Sequence, residues 1–295
     1  MNREPKSKVE VEERNRPVFC LLSSVLASFV LLGCSRTPIE RVEWPVMGTV
    51  AAVQWKFGGD HDPVRSRRLA QGAFAEVEKL MNAHNPSAEI SRLALLSDEE
   101  VVLRCDQKMR PCYEAAFRLQ RETGGAFNPR WKGMRTLDMG AIAKGFAVDL
   151  AYKAIRQPSE GARTLLDLGG NLRSVGDEWD VGILGTDGRK ICRRALLRPT
   201  EALATSATYY RGQHILDGRT NQVVSNGVSS VTVMASSAMI ADGLSTSLFV
   251  LGQEDGLRLV KEHYADDVRM VLWVMEDGRQ IDYDPDCRLS QPVSP

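Results

Sequence analysis

Apolar positions recur along this chain with two periods. From Pro63 to His84, Val64, Leu69, Phe74, Val77, Leu80 and Met81 fall at largely helical spacing and predict a long amphipathic helix. Just before it, Met47 to Phe57 (MGTVAAVQWKF) is rich in β-forming residues and reads as a strand. Asn85-Pro86-Ser87 breaks the helix, with Ser87 or Ser91 available to cap a short helix after it. Pro111 to Glu122 predicts another helix, with proline in its first turn and Thr123-Gly124-Gly125 at its end. A helix is expected from Gly140 through AIAKGFAVDLAYKAI, then a short buried strand, Thr164 to Leu168, running into Gly169-Gly170. Further strands are expected at Leu172–Val175, Trp179–Leu184, Ala195–Leu197, His214–Leu216 and Ser229–Ala235. The last leads at Ser236-Ser237 into a helix, another helix begins at Glu254, and Val268 to Met275 forms a closing strand. Strands and helices mix without strict βαβ alternation, so the fold class is α+β.

Composition narrows the reading. The chain has 295 residues, 43% of them apolar, which excludes disorder and gives enough length for one large or two small globular domains. Lys and Arg together number 38, as do Asp and Glu, so no overall basic field gathers nucleic acid, and no nucleic-acid partner is expected. Pro17 to Leu32 is a short apolar run behind Arg14 and Arg16, closer to a secretory signal than to a spanning helix. Leu31-Leu32-Gly33-Cys34 resembles the bacterial lipobox, which implies acylation of Cys34 and a lipid anchor in a membrane; an uncleaved single-pass anchor is the alternative. Either way the body is expected in the cell envelope, facing the periplasm or the cell exterior. Cys105, Cys112, Cys192 and Cys287 match no zinc spacing and read as structural or unpaired.

Three segments carry candidate chemistry. Asp242 and Thr246 stand four apart on one helix, so a carboxylate and a hydroxyl project side by side, hard oxygen donors of the kind Mg²⁺ takes. By itself such a pair is also what a solvated helix face looks like. LDMGAIAKGFAVD, residues 137–149, puts glycines and Lys144 at a helix start, where free backbone N–H groups can cradle phosphate. It lacks the spacing of a Walker A loop. LLDLGGNLRSVG, residues 165–176, has glycines after a strand, but a second strand follows instead of a helix, which counts against a Rossmann dehydrogenase.

Taken in order, Met47-Gly48-Thr49, Asn85 to Leu93, residues 137–149 and 165–176, Leu203 to Ala207, His214 to Asp217 and Ser230 to Gly252 resemble the ApbE family, the FAD:protein FMN transferases. The resemblance runs from about Trp44 to Gly252. It implies an ApbE-like, T-fold-related single catalytic domain of mixed sheets flanked by helices. The implied organisation is a lipoprotein signal peptide over 1–33, a membrane tether over 34–43, the transferase domain over 44–287 and a flexible tail over 288–295. The implied reaction is Mg²⁺-dependent transfer of FMN from FAD to a Ser or Thr hydroxyl of an exported acceptor protein, releasing AMP. Metal ligands carry over to Asp242, Thr246 and the backbone carbonyl of Ala143. FAD contacts carry over to Met47, Ser87, Ala88, Glu89, Asn128, Phe146, Ile215 and Leu216, and His214 and Lys144 join Asp242 as catalytic groups. His214 is the candidate base for the hydroxyl and Lys144 the candidate holder of phosphate charge.

The chain departs from the family pattern in places. Asn128 stands where relatives usually have Asp, Phe146 where they usually have Tyr, and the stretch from Phe127 to Leu137 is short, which thins one wall of the flavin site. Asp217-Gly218 replaces the commoner Asp-Pro turn, and Asn85-Pro86 lacks the Tyr and Asp often found in that loop. Two rival expectations follow: a pyrophosphatase cleaving FAD to FMN and AMP, and a non-catalytic flavin-binding lipoprotein.

Overall fold

The computed structural model describes residues 38–57, 62–133, 135–156, 163–209, 212 and 214–293. The expected signal peptide and Cys34 lie outside these residues. Strands β1 (Ile39–Val46) and β2 (Thr49–Lys56) form a hairpin with Val46 opposite Thr49. The two residues between them, Met47 and Gly48, have φ of 51° and 67°, as a two-residue hairpin turn of matching twist requires. The strand expected to start at Met47 therefore starts at Thr49, and Met47 is the turn. Residues 39–43, expected in the tether, belong to β1.

Helix α1 (Pro63–Met81) starts at Asp62, whose side chain accepts the Arg65 N–H, and buries Ala70, Phe74, Val77 and Met81. Helix α2 (Glu89–Leu93) is not capped by Ser87 or Ser91. Its cap residue is Ala88, while the Ser87 N–H and the Ser91 hydroxyl both donate to Asn85. Helix α3 (Asp98–Arg104), unforeseen in the hydrophobic pattern, opens with a Ser97/Glu100 capping box. Helices α4 (Arg110–Glu122) and α5 (Ala143–Ile155) complete the first half. Then come β3 (Thr164–Leu168), β4 (Asn171–Val175), β5 (Trp179–Leu184), β6 (Ile191–Leu197), β7 (Ala202–Ala207) and β8 (Val228–Ala235). Helix α6 (Ala238–His263) breaks at Gly252, whose φ is 75°, so two helical segments are present as expected. Strands β9 (Val268–Met275) and β10 (Gln280–Tyr283) close the fold. Residues 214–216 do not form a strand. They contribute a single bridge, Leu216 to Val223.

Eight strands make one sheet in the order β1-β2-β3-β4-β7-β8-β9-β10, every neighbour antiparallel. Alternation along the strands divides their side chains between two layers. Leu166, Leu168, Val231, Val233, Val271 and Trp273 join the core shared with the helices. Leu165, Met234, Met270, Leu272 and Val274 pack with Trp179, Ile183, Ala195 and Leu197 of the β5-β6 ribbon on the other face. The fold is α+β, with helices on one face of the sheet and the ribbon on the other.

The far edge of β6 is covered by residues 288–293. Leu196 N–H donates to Arg288 O at 3.0 Å, Ser290 N–H to Arg194 O at 2.8 Å and Val293 N–H to Cys192 O at 2.9 Å. Arg288 is buried against Glu201 at 2.8 Å. The segment expected to be a flexible tail is therefore hydrogen-bonded into the fold as far as Val293. Among the described residues Cys105, Cys112, Cys192 and Cys287 are free thiols, and burial pushes those of Cys105 and Cys112 up. Among the described residues no helix is long and apolar enough to cross a membrane.

Candidate active site

Helices α5 and α6 meet where neither has room for a side chain. A Cβ on Gly145 would sit 2.1 Å from the Ala238 carbonyl oxygen and 2.7 Å from Asp242 Cβ, so only glycine permits the approach. One turn further along α5, the buried carboxylate of Asp149 accepts N–H bonds from Ala238 at 2.9 Å and Met239 at 3.0 Å, which caps α6. Arg173 pairs with that carboxylate, donates to Thr200 O and Ser236 O, and lies 3.9 Å from the Tyr152 ring centroid. The α6 start is thus fixed against α5 and β4.

This junction sets Asp242 beside a cavity of about 740 Å³. Asp242 is only 5% exposed. Its Oδ2 accepts the Gly145 N–H at 2.9 Å and lies 3.8 Å from Lys144 Nζ. Burial pushes this carboxyl above its ordinary range, against the pull of the Lys144 ammonium and the α5 amides. Thr246 lines the cavity one turn on, its Oγ1 3.0 Å from Ser206 Oγ, which in turn is 2.8 Å from Ser245 Oγ. Lys144 lines the same space and donates to Gly140 O at 2.6 Å.

Gly140 and Ala141, just before α5, also line the cavity, whereas Ala143 is 3% exposed and does not. No donor among the described residues bonds the Ala141 carbonyl, because the N–H four residues on, Gly145, is turned onto Asp242. The backbone carbonyl facing the cavity at this point is therefore on the Ala141 side of the helix start.

On the opposite rim, His214 is exposed and its Nδ1 lies 2.8 Å from Gly212 O. A carbonyl can only accept, so Nδ1 carries the proton and Nε2 is left with the lone pair in the neutral ring. Ile215 and Leu216 line the cavity beside it. Asn128 ties this segment to the facing loop: its Nδ2 donates to Gly218 O at 3.0 Å, and its Oδ1 accepts from Arg130 N–H at 2.8 Å and Gln120 Nε2 at 3.2 Å.

The structure thus brings together Asn128, Lys144, His214, Ile215, Leu216, Asp242 and Thr246 around one space. Met47, Ser87, Ala88, Glu89 and Phe146 do not line it. Met47 donates its N–H to Glu78, Glu89 accepts the Asp106 N–H at the start of α2, and Phe146 is buried in the core at 3% exposure. Trp131 and Tyr209 line the cavity from outside the motifs quoted above, and Asp167 and Ser206 line it from within two of them without an assigned role. Trp131 carries Lys132 Nζ 4.5 Å above its ring. The short stretch after Phe127 hid it, since one tryptophan in a polar turn has no periodicity to betray it.

Comparison with known proteins agrees with this arrangement. The ApbE family model matches residues 47–137 and 131–272. A FAD:protein FMN transferase of Rhodobacter capsulatus is 36% identical over 155 residues, 48% of this chain and 28% of that protein. One from Klebsiella pneumoniae (strain 342) is 32% identical over 136 residues, 43% of this chain and 42% of that protein. The matched stretches thus span less than half the length of these curated relatives. In three dimensions the flavin transferase ApbE from Vibrio cholerae superposes with a TM-score of 0.66 at 23% identity, covering 83% of this chain and 97% of that one. The Pseudomonas stutzeri flavinyl transferase ApbE, apo form, gives 0.67 at 20% identity, covering 86% and 97%. These structures speak for the shared α+β fold; the family model covers most of the chain, and the chain belongs to the ApbE family.

Proposed function

We propose that this protein transfers FMN from FAD to a Ser or Thr hydroxyl of exported acceptor proteins, with release of AMP and with Mg²⁺ as cofactor. The observation that carries the reading is the buried Asp242 carboxylate, one turn from Thr246, opening on a cavity of about 740 Å³ that Lys144 and His214 also line. The donor set fits the ion. Among the described residues no cluster of three or more His, Cys, Asp or Glu occurs, so a softer metal with a full protein cage is disfavoured. An acid, an alcohol and a backbone carbonyl suit Mg²⁺, which keeps few protein ligands and completes its shell with water and phosphate oxygens. Asp242, Thr246 and the carbonyl of Ala141, in place of Ala143, would hold it. When bound, the ion would polarise a phosphoryl oxygen and offset charge on the leaving AMP.

The chain's own groups supply the rest. Lys144 Nζ, held at the α5 start by Gly140 O, is placed to meet phosphate charge. His214 Nε2 has the lone pair needed to take the proton of an attacking hydroxyl. Leu31 to Cys34 support a lipid-anchored location in the cell envelope, with processing after residue 33 and the transferase domain starting by Ile39.

The test is incubation of the protein with FAD, Mg²⁺ and a candidate acceptor domain. A mass gain of one FMN on the acceptor is expected, and Asp242→Asn should lower it by about 10²-fold or more. FMN and AMP appearing with the acceptor unmodified would make the protein a pyrophosphatase. Tight flavin binding with neither product would make it a carrier.

A further inference from the structure

The β5-β6 ribbon has two edges, and the described residues pair with only one of them. Residues 288–293 lie along β6 and take hydrogen bonds at Cys192 O, Arg194 O and Leu196 N–H. Alternate residues of β6 therefore turn their backbone groups outward, and Arg193, Ala195 and Leu197 turn theirs toward β5. Their partners across the ribbon are Ile183, Val181 and Trp179. The intervening residues of β5, Asp180 and Gly182, must point N–H and C=O away from β6, to the free edge.

Both residues are exposed, and no backbone hydrogen bond among the described residues occupies their outward groups. An exposed glycine is exposed backbone. Gly182, Ile183 and Leu184 also line the cavity that holds Asp242, His214 and Lys144, so the free edge runs into the candidate active site. An open edge of this kind is a template for an extended strand, and the same ribbon already accepts one on its other side.

We propose that the free edge of β5 is the docking site of the acceptor polypeptide, which adds as a strand through the N–H and C=O of Asp180 and Gly182. This rests on the transferase reading, since that reaction alone requires a polypeptide hydroxyl to enter the cavity. Backbone pairing fixes the direction and depth of the incoming segment with little demand on its side chains. The Ser or Thr hydroxyl is then carried past Gly182 toward His214 Nε2, which takes its proton as the oxygen bonds the FMN phosphorus and AMP leaves with the bridging oxygen. The occupant is thus an extended hydroxyl-bearing peptide, in preference to a folded surface.

The test uses the full chain and a peptide centred on the modified residue of a protein that the wild type loads with FMN. Hydrogen exchange at the Asp180 and Gly182 amides should slow when the peptide is added. Asp180→Pro removes one outward N–H while leaving the β5-β6 ladder intact, and should raise KM for the peptide by about tenfold with KM for FAD within about twofold of wild type. Peptide methylated at the backbone nitrogens next to the hydroxyl residue should lose affinity in the same way. Unchanged exchange at 180 and 182 during active turnover, or an unchanged peptide KM in Asp180→Pro with the ribbon intact by circular dichroism, overturns the edge while leaving the transferase reading in place. Failure of the wild type to modify any acceptor, with FAD merely bound or hydrolysed, overturns that reading itself and the edge's role as an acceptor site with it.

Discussion

Replacing Gly145 with alanine tests the joint on which the candidate site is built. The added methyl would stand 2.1 Å from the Ala238 carbonyl oxygen, 2.6 Å from its carbon and 2.7 Å from Asp242 Cβ. Ordinary contact begins near 3.4 Å, so α5 and α6 must part by roughly 1.3 Å, and the main obstacle is backbone that cannot rotate aside. Overpacking of this kind costs about 1–3 kcal/mol. Separation also stretches the Gly145 N–H bond to the Asp242 carboxylate, a charge-assisted contact of about 1.5–3 kcal/mol. Alanine returns at most about 1 kcal/mol of helix propensity. The net is a loss of about 3 kcal/mol and a drop in Tm of about 6–12 °C, read by scanning calorimetry. FMN transfer should fall with it, because Asp242 moves with α6. Gly243→Ala is the control: its methyl meets Leu119 Cδ1 at 2.5 Å, a side-chain terminus that can shift, so the cost should be below about 1.5 kcal/mol. A Gly145→Ala protein with wild-type Tm and transfer would refute the close helix approach.

Asp149→Ala should lower stability by about 3–5 kcal/mol in urea unfolding, since it strands buried Arg173 and uncaps Ala238 and Met239; an unchanged midpoint would contradict this. Asn128→Asp sets a carboxylate against the Gly218 carbonyl that the amide now serves, so kcat for transfer should fall more than affinity for FAD, and exchange of the Asn221 amide should quicken. Hydrogen bonds from Arg219 hold the Asp217 carboxyl below the usual carboxylate range, with burial opposing. A depressed folded pKa stabilises above the unfolded value and is lost as pH falls through the folded one, so Asp217→Asn should cost about 0.5 kcal/mol at pH 7 for this half-exposed pair and less at a pH below the unfolded value. Urea midpoints at the two pH values check it.

Much of the fold is legible because a strand buried on both faces shows as a short apolar run between turn signals, and a half-exposed one as alternation. Thr164–Leu168, Trp179–Leu184 and Val268–Met275 were read with the bounds the structure has. The misreadings share a cause, which is hydrogen bonding that leaves no hydrophobic trace. The Met47-Gly48 turn depends on two positive φ angles. Residues 288–293 are held by backbone bonds and by the Arg288–Glu201 pair inside a polar sequence. Residues 214–216 look like a strand by composition, yet they pair only across the tight 217–222 turn, through the Leu216–Val223 bridge and the Val224 N–H to Ile215 O bond.

For the site, the same contrast separates side chains from geometry. Asp242 and Thr246 could be paired from their spacing alone, since four residues return nearly to the same helical face. Phe146 follows the identical rule with the opposite result. It stands two residues after Lys144, which at about 100° per residue is roughly 200° around α5. If Lys144 faces the cavity, Phe146 must face the core, and it is buried there at 3% exposure. The backbone carbonyl obeys the same constraint. Once α5 begins at Ala143 its carbonyls turn along the helix axis toward the next turn, so a carbonyl free to face the cavity has to come from before that start, where Ala141 lines it. The position of a helix start, which sequence locates only to within a few residues, therefore decides which alanine lines the cavity.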